Sequence, residues 1–131
     1  GAATGVAMGS PGRRVFAAVG DGSALFGVHG LWMAARYGLP VTAVVFANGE
    51  YRTLKLTLAH MQSPSALSGN FVGLDLDRPQ LRWPELARAF GVDGIRAESA
   101  AELSAALTSC TPDDGPLLIE VGVRSFADDH S

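Results

Sequence analysis

The sequence predicts an α/β domain, a doubly wound parallel sheet with helices on both faces, and three observations lead there. Short apolar, often β-branched runs alternate with stretches of helical spacing, the order that builds parallel strands joined by crossover helices. The first two runs each end in a turn of Gly, Asp or Asn, the pattern expected at the carboxyl edge of neighbouring parallel strands. A length of 131 residues with 47% apolar and 18% charged side chains fits one domain with one sizeable core.

The elements follow in order. Residues 1–9, with glycines at 1, 5 and 9, read as the end of a helix before the turn Ser10-Pro11-Gly12. Residues 14–19 form the first strand. Ser23 is the expected N-cap of a helix running to about residue 37, with Leu25, Val28, Trp32 and Ala35 on one core-facing side. Gly38 and Pro40 end it, and residues 41–46 form the second strand. A helix is predicted over 51–60, with Leu54 and Leu58 one turn apart, and residues 61–82, rich in Ser, Gly and Pro, read mostly as a loop. Pro84 and Gly91 bracket a helix over 83–90, and residues 93–97 form a short strand. Ser99 and Glu102 make a capping box for a helix to about residue 109, and residues 116–123 form the last strand.

Composition excludes several classes. A net charge of −3 without a run of like charge gives no support for nucleic-acid or membrane-surface binding. The apolar stretches break well short of a membrane span. The single Cys110 rules out an internal disulfide, compatible with a reducing, cytoplasmic setting.

Chemistry concentrates in the first two turns. Gly20-Asp21-Gly22-Ser23 closes the first strand and Ala47-Asn48-Gly49-Glu50 the second. One carboxylate, one amide oxygen and nearby carbonyls make a hard oxygen site for Mg²⁺ or Ca²⁺. Magnesium held this sparsely completes its octahedron with water and phosphate oxygens, so the site asks for a diphosphate. Gly22 and Ser23 open a helix whose free N–H groups suit phosphate. The plain alternatives are a turn Asp bonded to its own backbone and a turn Asn. A dinucleotide fingerprint starting at Gly20 fails because Leu25 holds its third glycine position.

At these residues the chain resembles the thiamine diphosphate-dependent enzymes, whose motif runs from Gly-Asp-Gly through a helix and strand to Asn-Asn. Within them Gly20-Asp21-Gly22-Ser23-Ala24, Leu31-Trp32-Met33-Ala34-Ala35 and Asn48-Gly49-Glu50-Tyr51-Arg52-Thr53-Leu54-Lys55 look most like benzoylformate decarboxylases. Residues 72–76 and 115–121 support the match, which covers nearly the whole chain. The resemblance implies a C-terminal thiamine diphosphate and Mg²⁺-binding domain over 1–131, incomplete at its N-terminal side and part of a longer enzyme. It implies cofactor contacts from Gly20, Asp21, Gly22, Ser23, Asn48, Glu50 and Tyr51. Metal ligation falls to Asp21, Asn48 and the carbonyl at Glu50, and substrate contact to Thr53 and Leu54. The Glu50 side chain, an added negative charge, joins the metal shell or turns outward; both stay open. Ala47 departs from the first Asn of the motif and leaves the ligating second Asn in place.

The implied activity is decarboxylation of aromatic 2-oxo acids. An acetolactate synthase-like carboligase and a non-catalytic diphosphate-binding module remain as alternatives. The implied partners are the missing domains of the same enzyme and a second subunit, in a homo-oligomer such as a homotetramer. Proton-transfer groups belong to those other parts, so catalytic residues are not assigned. His29 reads as a structural mid-helix residue, and His60 and His130 lack ligand spacing. Cys110 lacks an activating neighbour, and Trp32 and Trp83 read as packing residues.

Overall fold

The structure, a computed structural model, describes residues 1–126. The four predicted strands become β1 (Val15–Gly20), β2 (Val41–Ala47), β3 (Asp93–Ala97) and β4 (Leu117–Gly122). They form one parallel sheet in the order β1-β2-β4-β3. The helices are α1 (Ala2–Met8), α2 (Asp21–Leu25), α3 (Gly30–Arg36), α4 (Arg52–His60), α5 (Pro64–Ser68), α6 (Trp83–Ala89) and α7 (Ala100–Ser109).

Topology places helices on both faces. The chain steps from β1 to β2 and past β4 to β3 in one direction, then back to β4. Right-handed crossovers put the connections of opposite steps on opposite faces. On one face Val15 and Val41 pack with Ala7 and Ala34, while Val19, Val45 and Leu118 pack with Trp83, Ala87 and Val92. These side chains come from α1, α3, α6 and the turn after α6. On the other face Thr42 meets Cys110, at the end of α7, across 3.6 Å. Arg14 closes the amino edge of the sheet, donating to Thr42 Oγ1 at 2.7 Å and to the carbonyls of Thr111, Asp114 and Gly115.

Three helices end on a left-handed glycine, and after two of them the next residue packs into the core. Gly38 (φ 57°) follows α3, with Gly38 N–H on Ala35 O and Leu39 N–H on Ala34 O. Gly91 (φ 77°) follows α6, with Gly91 N–H on Arg88 O and Val92 N–H on Ala87 O. These are Schellman pairs, and each includes the expected apolar contact of the residue beyond the glycine with the core. The Ser99 half of the predicted capping box forms: Ser99 Oγ accepts from Glu102 N, while the Glu102 carboxylate accepts from Glu98 N, one residue before the cap.

Four expectations need correction. The helix predicted over 23–37 is two helices, because Phe26 to His29 turn between α2 and α3. Ser23 is not its N-cap: α2 starts at Asp21, capped by the extended backbone of Gly20, and Ser23 lies inside it. Trp32 is 51% exposed rather than packed, and His29 sits at the start of α3 rather than mid-helix. Residues 61–82 are mostly loop, as expected, and hold the short α5, whose N-cap Ser63 accepts from Ala66 N. His130 lies outside the described residues.

Candidate functional site

The two turns singled out in the sequence meet at one edge of the sheet. Register pairs Gly20 with Phe46, so the end of β1 delivers Asp21 beside the end of β2. Asp21 is buried, 3% exposed, and its carboxylate takes three backbone N–H groups. Oδ1 accepts from Gly22 at 2.9 Å; Oδ2 accepts from Asn48 at 3.1 Å and Gly49 at 2.8 Å. Asp21 therefore does bond its own turn, as the plain alternative held, but it also clamps the neighbouring one. Asn48 Oδ1 accepts from Glu50 N at 3.1 Å, an Asx turn, and Gly49 takes a φ of 72° that a side chain would strain. A carboxylate and an amide oxygen are thus both oriented before any ligand arrives.

Asp21, Asn48 and Gly49 line a cleft of about 990 Å³ that extends along the carboxyl edge to Asp77, Arg96 and Glu120. Glu120 is the charged residue of an otherwise apolar strand and is 6% exposed. Burial pushes its carboxyl above the ordinary 4.5, Arg96 (3.7 Å) works against this, and Glu85, Glu98 and Asp21 add to it. The cleft thus carries a second buried carboxyl that the sequence reading passed over. The signal was present: a lone charge inside Leu117-Leu118-Ile119-Glu120-Val121 is more informative than any of the apolar residues around it.

The remaining candidates surround this centre unevenly. Gly20 ends β1, and Gly22 is covered by Tyr51: a Cβ on Gly22 would sit 2.5 Å from Tyr51 Cε1. This contact joins the first turn to the start of α4. Ser23 is exposed on α2 and faces an apolar cavity of about 260 Å³ beneath the α2–α3 segment, away from the cleft. Thr53 and Leu54 lie exposed on α4, Leu54 at 50%, so Leu54 is not packed in the core. The buried residue of α4 is Lys55. Its ammonium lies 2.5 Å from Glu50 Oε2 and 2.5 Å from Asp75 Oδ1. The Glu50 side chain is thus turned to Lys55. Sequence reasoning missed this group because Asp75 lies 20 residues from Lys55, beyond any local spacing rule.

Hard oxygens from two adjoining turns suit Mg²⁺ or Ca²⁺. Among the described residues no group of three or more His, Cys, Asp and Glu side chains gathers to hold a metal. A cation here would rely on mixed carboxylate, amide and carbonyl donors. The carbonyl of Glu50 stays outside the antiparallel bridge to residue 75, which uses Leu76 N–H on Gly49 O and Tyr51 N–H on Leu74 O. None of the helices is long and apolar enough to cross a membrane among the described residues.

Known proteins resemble this chain in sequence and in fold. Benzoylformate decarboxylase of Pseudomonas aeruginosa is 37% identical over 125 residues, covering 95% of this chain and 22% of that protein. The acetolactate synthase large subunit of Parasynechococcus marenigrum is 30% identical over 123 residues, covering 94% of this chain and 19% of that protein. The structure of a thiamine diphosphate-dependent 4-hydroxybenzoylformate decarboxylase from Rhodococcus jostii superposes with a TM-score of 0.83 at 35% identity, covering 95% of this chain and 22% of that one. The chain spans about a fifth of the length of these relatives. Residues 1–121 match the family described as thiamine pyrophosphate enzyme, C-terminal TPP binding domain, and the chain belongs to that family.

Proposed function

We propose that this domain anchors thiamine diphosphate, through Mg²⁺ or Ca²⁺, in a decarboxylase of aromatic 2-oxo acids. The observation that carries the reading is the double clamp of Asp21 on its own turn and on Asn48-Gly49. It brings a buried carboxylate and an amide oxygen from successive strands to one sheet edge, where open α/β sheets bind ligands. Asp21 and Asn48 would hold the cation with their side chains and Glu50 with its carbonyl. Gly20, Gly22 and Ser23 would offer backbone groups to the diphosphate, and Tyr51 keeps the first turn packed against α4. When bound, thiamine diphosphate supplies the electron sink for the pair left behind as carbon dioxide departs. Thr53 and Leu54, exposed on α4, would form part of the wall met by the aromatic ring of the substrate. Proton-transfer groups would come from the other domains and a second subunit of a cytoplasmic homo-oligomer, a homotetramer on this reading.

The experiment is product analysis of the full-length enzyme with benzoylformate and with pyruvate, with and without thiamine diphosphate and Mg²⁺. Cofactor-dependent benzaldehyde from benzoylformate is expected. Acetolactate from pyruvate, without benzaldehyde, would move the enzyme to the carboligases that the 30% identical synthase represents. No thiamine diphosphate binding at all would leave only a fold.

A further inference from the structure

Glu50 places a carboxylate on the residue whose carbonyl is assigned to the metal, which creates an electrostatic difficulty. A buried anion beside a cation and a diphosphate will either compete for the cation or repel the phosphate oxygens. The structure contains a counter-charge for it. Glu50 is 6% exposed and both of its oxygens are engaged, Oε2 by Lys55 at 2.5 Å and Oε1 by the backbone N–H of Phe126. Lys55 is 7% exposed and lies 5.5 Å from the centroid of the Phe71 ring, which stacks edge-on with Phe126 at 5.5 Å. The second carboxylate on Lys55, Asp75, has a side chain 56% exposed to water. Asp75 is stable without Lys55; Glu50 is not.

We propose that Lys55 is a positioning residue that holds the Glu50 carboxylate out of the metal shell, so that residue 50 offers only its carbonyl. The inference rests on the thiamine diphosphate reading above and deepens it. Three features favour it over a merely structural ion pair. Lys55 lies one residue beyond Leu54 and five beyond Glu50, so a single ammonium ties the metal turn to the helix that carries the substrate wall. Its carboxylate partners come from both sides of the antiparallel bridge between residues 50 and 75. Finally, Lys55 pairs with the buried Glu50 carboxylate among the described residues, so its loss would leave that charge to draw on the incoming cation. A third side-chain oxygen donor would raise affinity for the bare metal, favour Ca²⁺ with its larger shell, and leave less room for diphosphate oxygens.

The test uses the full-length enzyme and two readouts besides turnover. These are Mn²⁺ affinity without cofactor, by electron paramagnetic resonance, and thiamine diphosphate affinity at saturating Mn²⁺, by calorimetry. Lys55→Met is expected to bind Mn²⁺ about tenfold more tightly and thiamine diphosphate about tenfold more weakly, within the range of couplings between touching residues. Adding Glu50→Gln to Lys55→Met should return both affinities to within about threefold of wild type, and Lys55→Arg should change neither. A folded Lys55→Met enzyme with both affinities unchanged would overturn the proposal, as would tighter Mn²⁺ binding that persists in the double variant. Should Lys55→Met fail to fold, the double variant carries the test, since a tenfold loss of cofactor affinity there would show that Lys55 acts otherwise than through Glu50. Wild-type enzyme that binds no thiamine diphosphate with Mn²⁺ would overturn the cofactor reading itself, a result distinct from effects confined to the variants.

Discussion

Replacing Asp21 by Asn should destabilise the metal-free protein, because the carboxylate is a structural clamp in its own right. The side chains are isosteric, so the cost is one of hydrogen bonds. If the amide nitrogen took the place of Oδ2 it would face two donors, Asn48 N and Gly49 N; in place of Oδ1 it would face one, Gly22 N. The second arrangement is cheaper. It leaves one buried donor without an acceptor, about 1–3 kcal/mol, and turns two charge-assisted bonds into neutral ones at roughly 0.5–1 kcal/mol each. The expected loss is about 2–5 kcal/mol. Urea unfolding in metal-free buffer, wild type against Asp21→Asn with matched slopes, measures it. A loss below about 1 kcal/mol would mean that the clamp does not organise the turns, and the preorganisation argued for the site would fail with it.

Three other perturbations have definite expected results. A Cβ on Gly94 would lie 2.5 Å from Pro84 O and 2.6 Å from Pro84 Cα, where α6 crosses β3. Gly94→Ala should therefore cost about 2 kcal/mol, whereas Gly5→Ala, with open space around it inside α1, should be neutral or stabilising by roughly 0.5–1 kcal/mol; equal melting temperatures for the two would refute the packing. Glu120, whose folded-state proton affinity is raised by burial, contributes stability that is full below its unfolded value of 4.5 and lost as pH rises through the folded value. Glu120→Gln should thus be more stable than wild type near pH 7.5, with the gap closing below pH 4.5, and a gap independent of pH would contradict the assignment. Leu54→Ala removes a half-exposed side chain, so stability should change little while the kcat/KM ratio of benzoylformate to pyruvate shifts by about tenfold; an unchanged ratio would remove Leu54 from the substrate wall.

The fold was legible where local chemistry dictates it. The Ser99–Glu102 box, Pro84 and Gly91 around α6, and the apolar run of β4 each follow from one short stretch, and the structure places all of them within a residue or two of expectation. The helix predicted over 23–37 failed because its apolar spacing continues through Gly27 and Gly30, where the backbone turns and restarts; side-chain periodicity does not register such a break. Trp32 was taken as core from that same periodicity, and α3 instead buries Gly30 and Ala34. In the site, Asp21 and Asn48 were legible because each ends a strand, and the structure joins them. The bonds of Asp21 Oδ2 that tie the two turns together were not, since they reach backbone groups 27 and 28 residues away. Lys55 and Glu120 stayed hidden for related reasons. One looks like an ordinary helix lysine until Asp75 is brought beside it, and the other is a single charge in a strand whose apolar neighbours draw the eye.

The central claim is that Asp21, Asn48 and the carbonyl of Glu50 hold the cation that anchors a diphosphate. The most direct test is a crystal structure of the full-length enzyme with thiamine diphosphate and Mn²⁺, using anomalous scattering to locate the metal. The account predicts one peak in coordination distance of the Asp21 carboxylate, Asn48 Oδ1 and the Glu50 main-chain oxygen, with the Glu50 carboxylate still on Lys55. A metal and diphosphate seated elsewhere, for instance beside Glu120 and Arg96 in the same cleft, would contradict it.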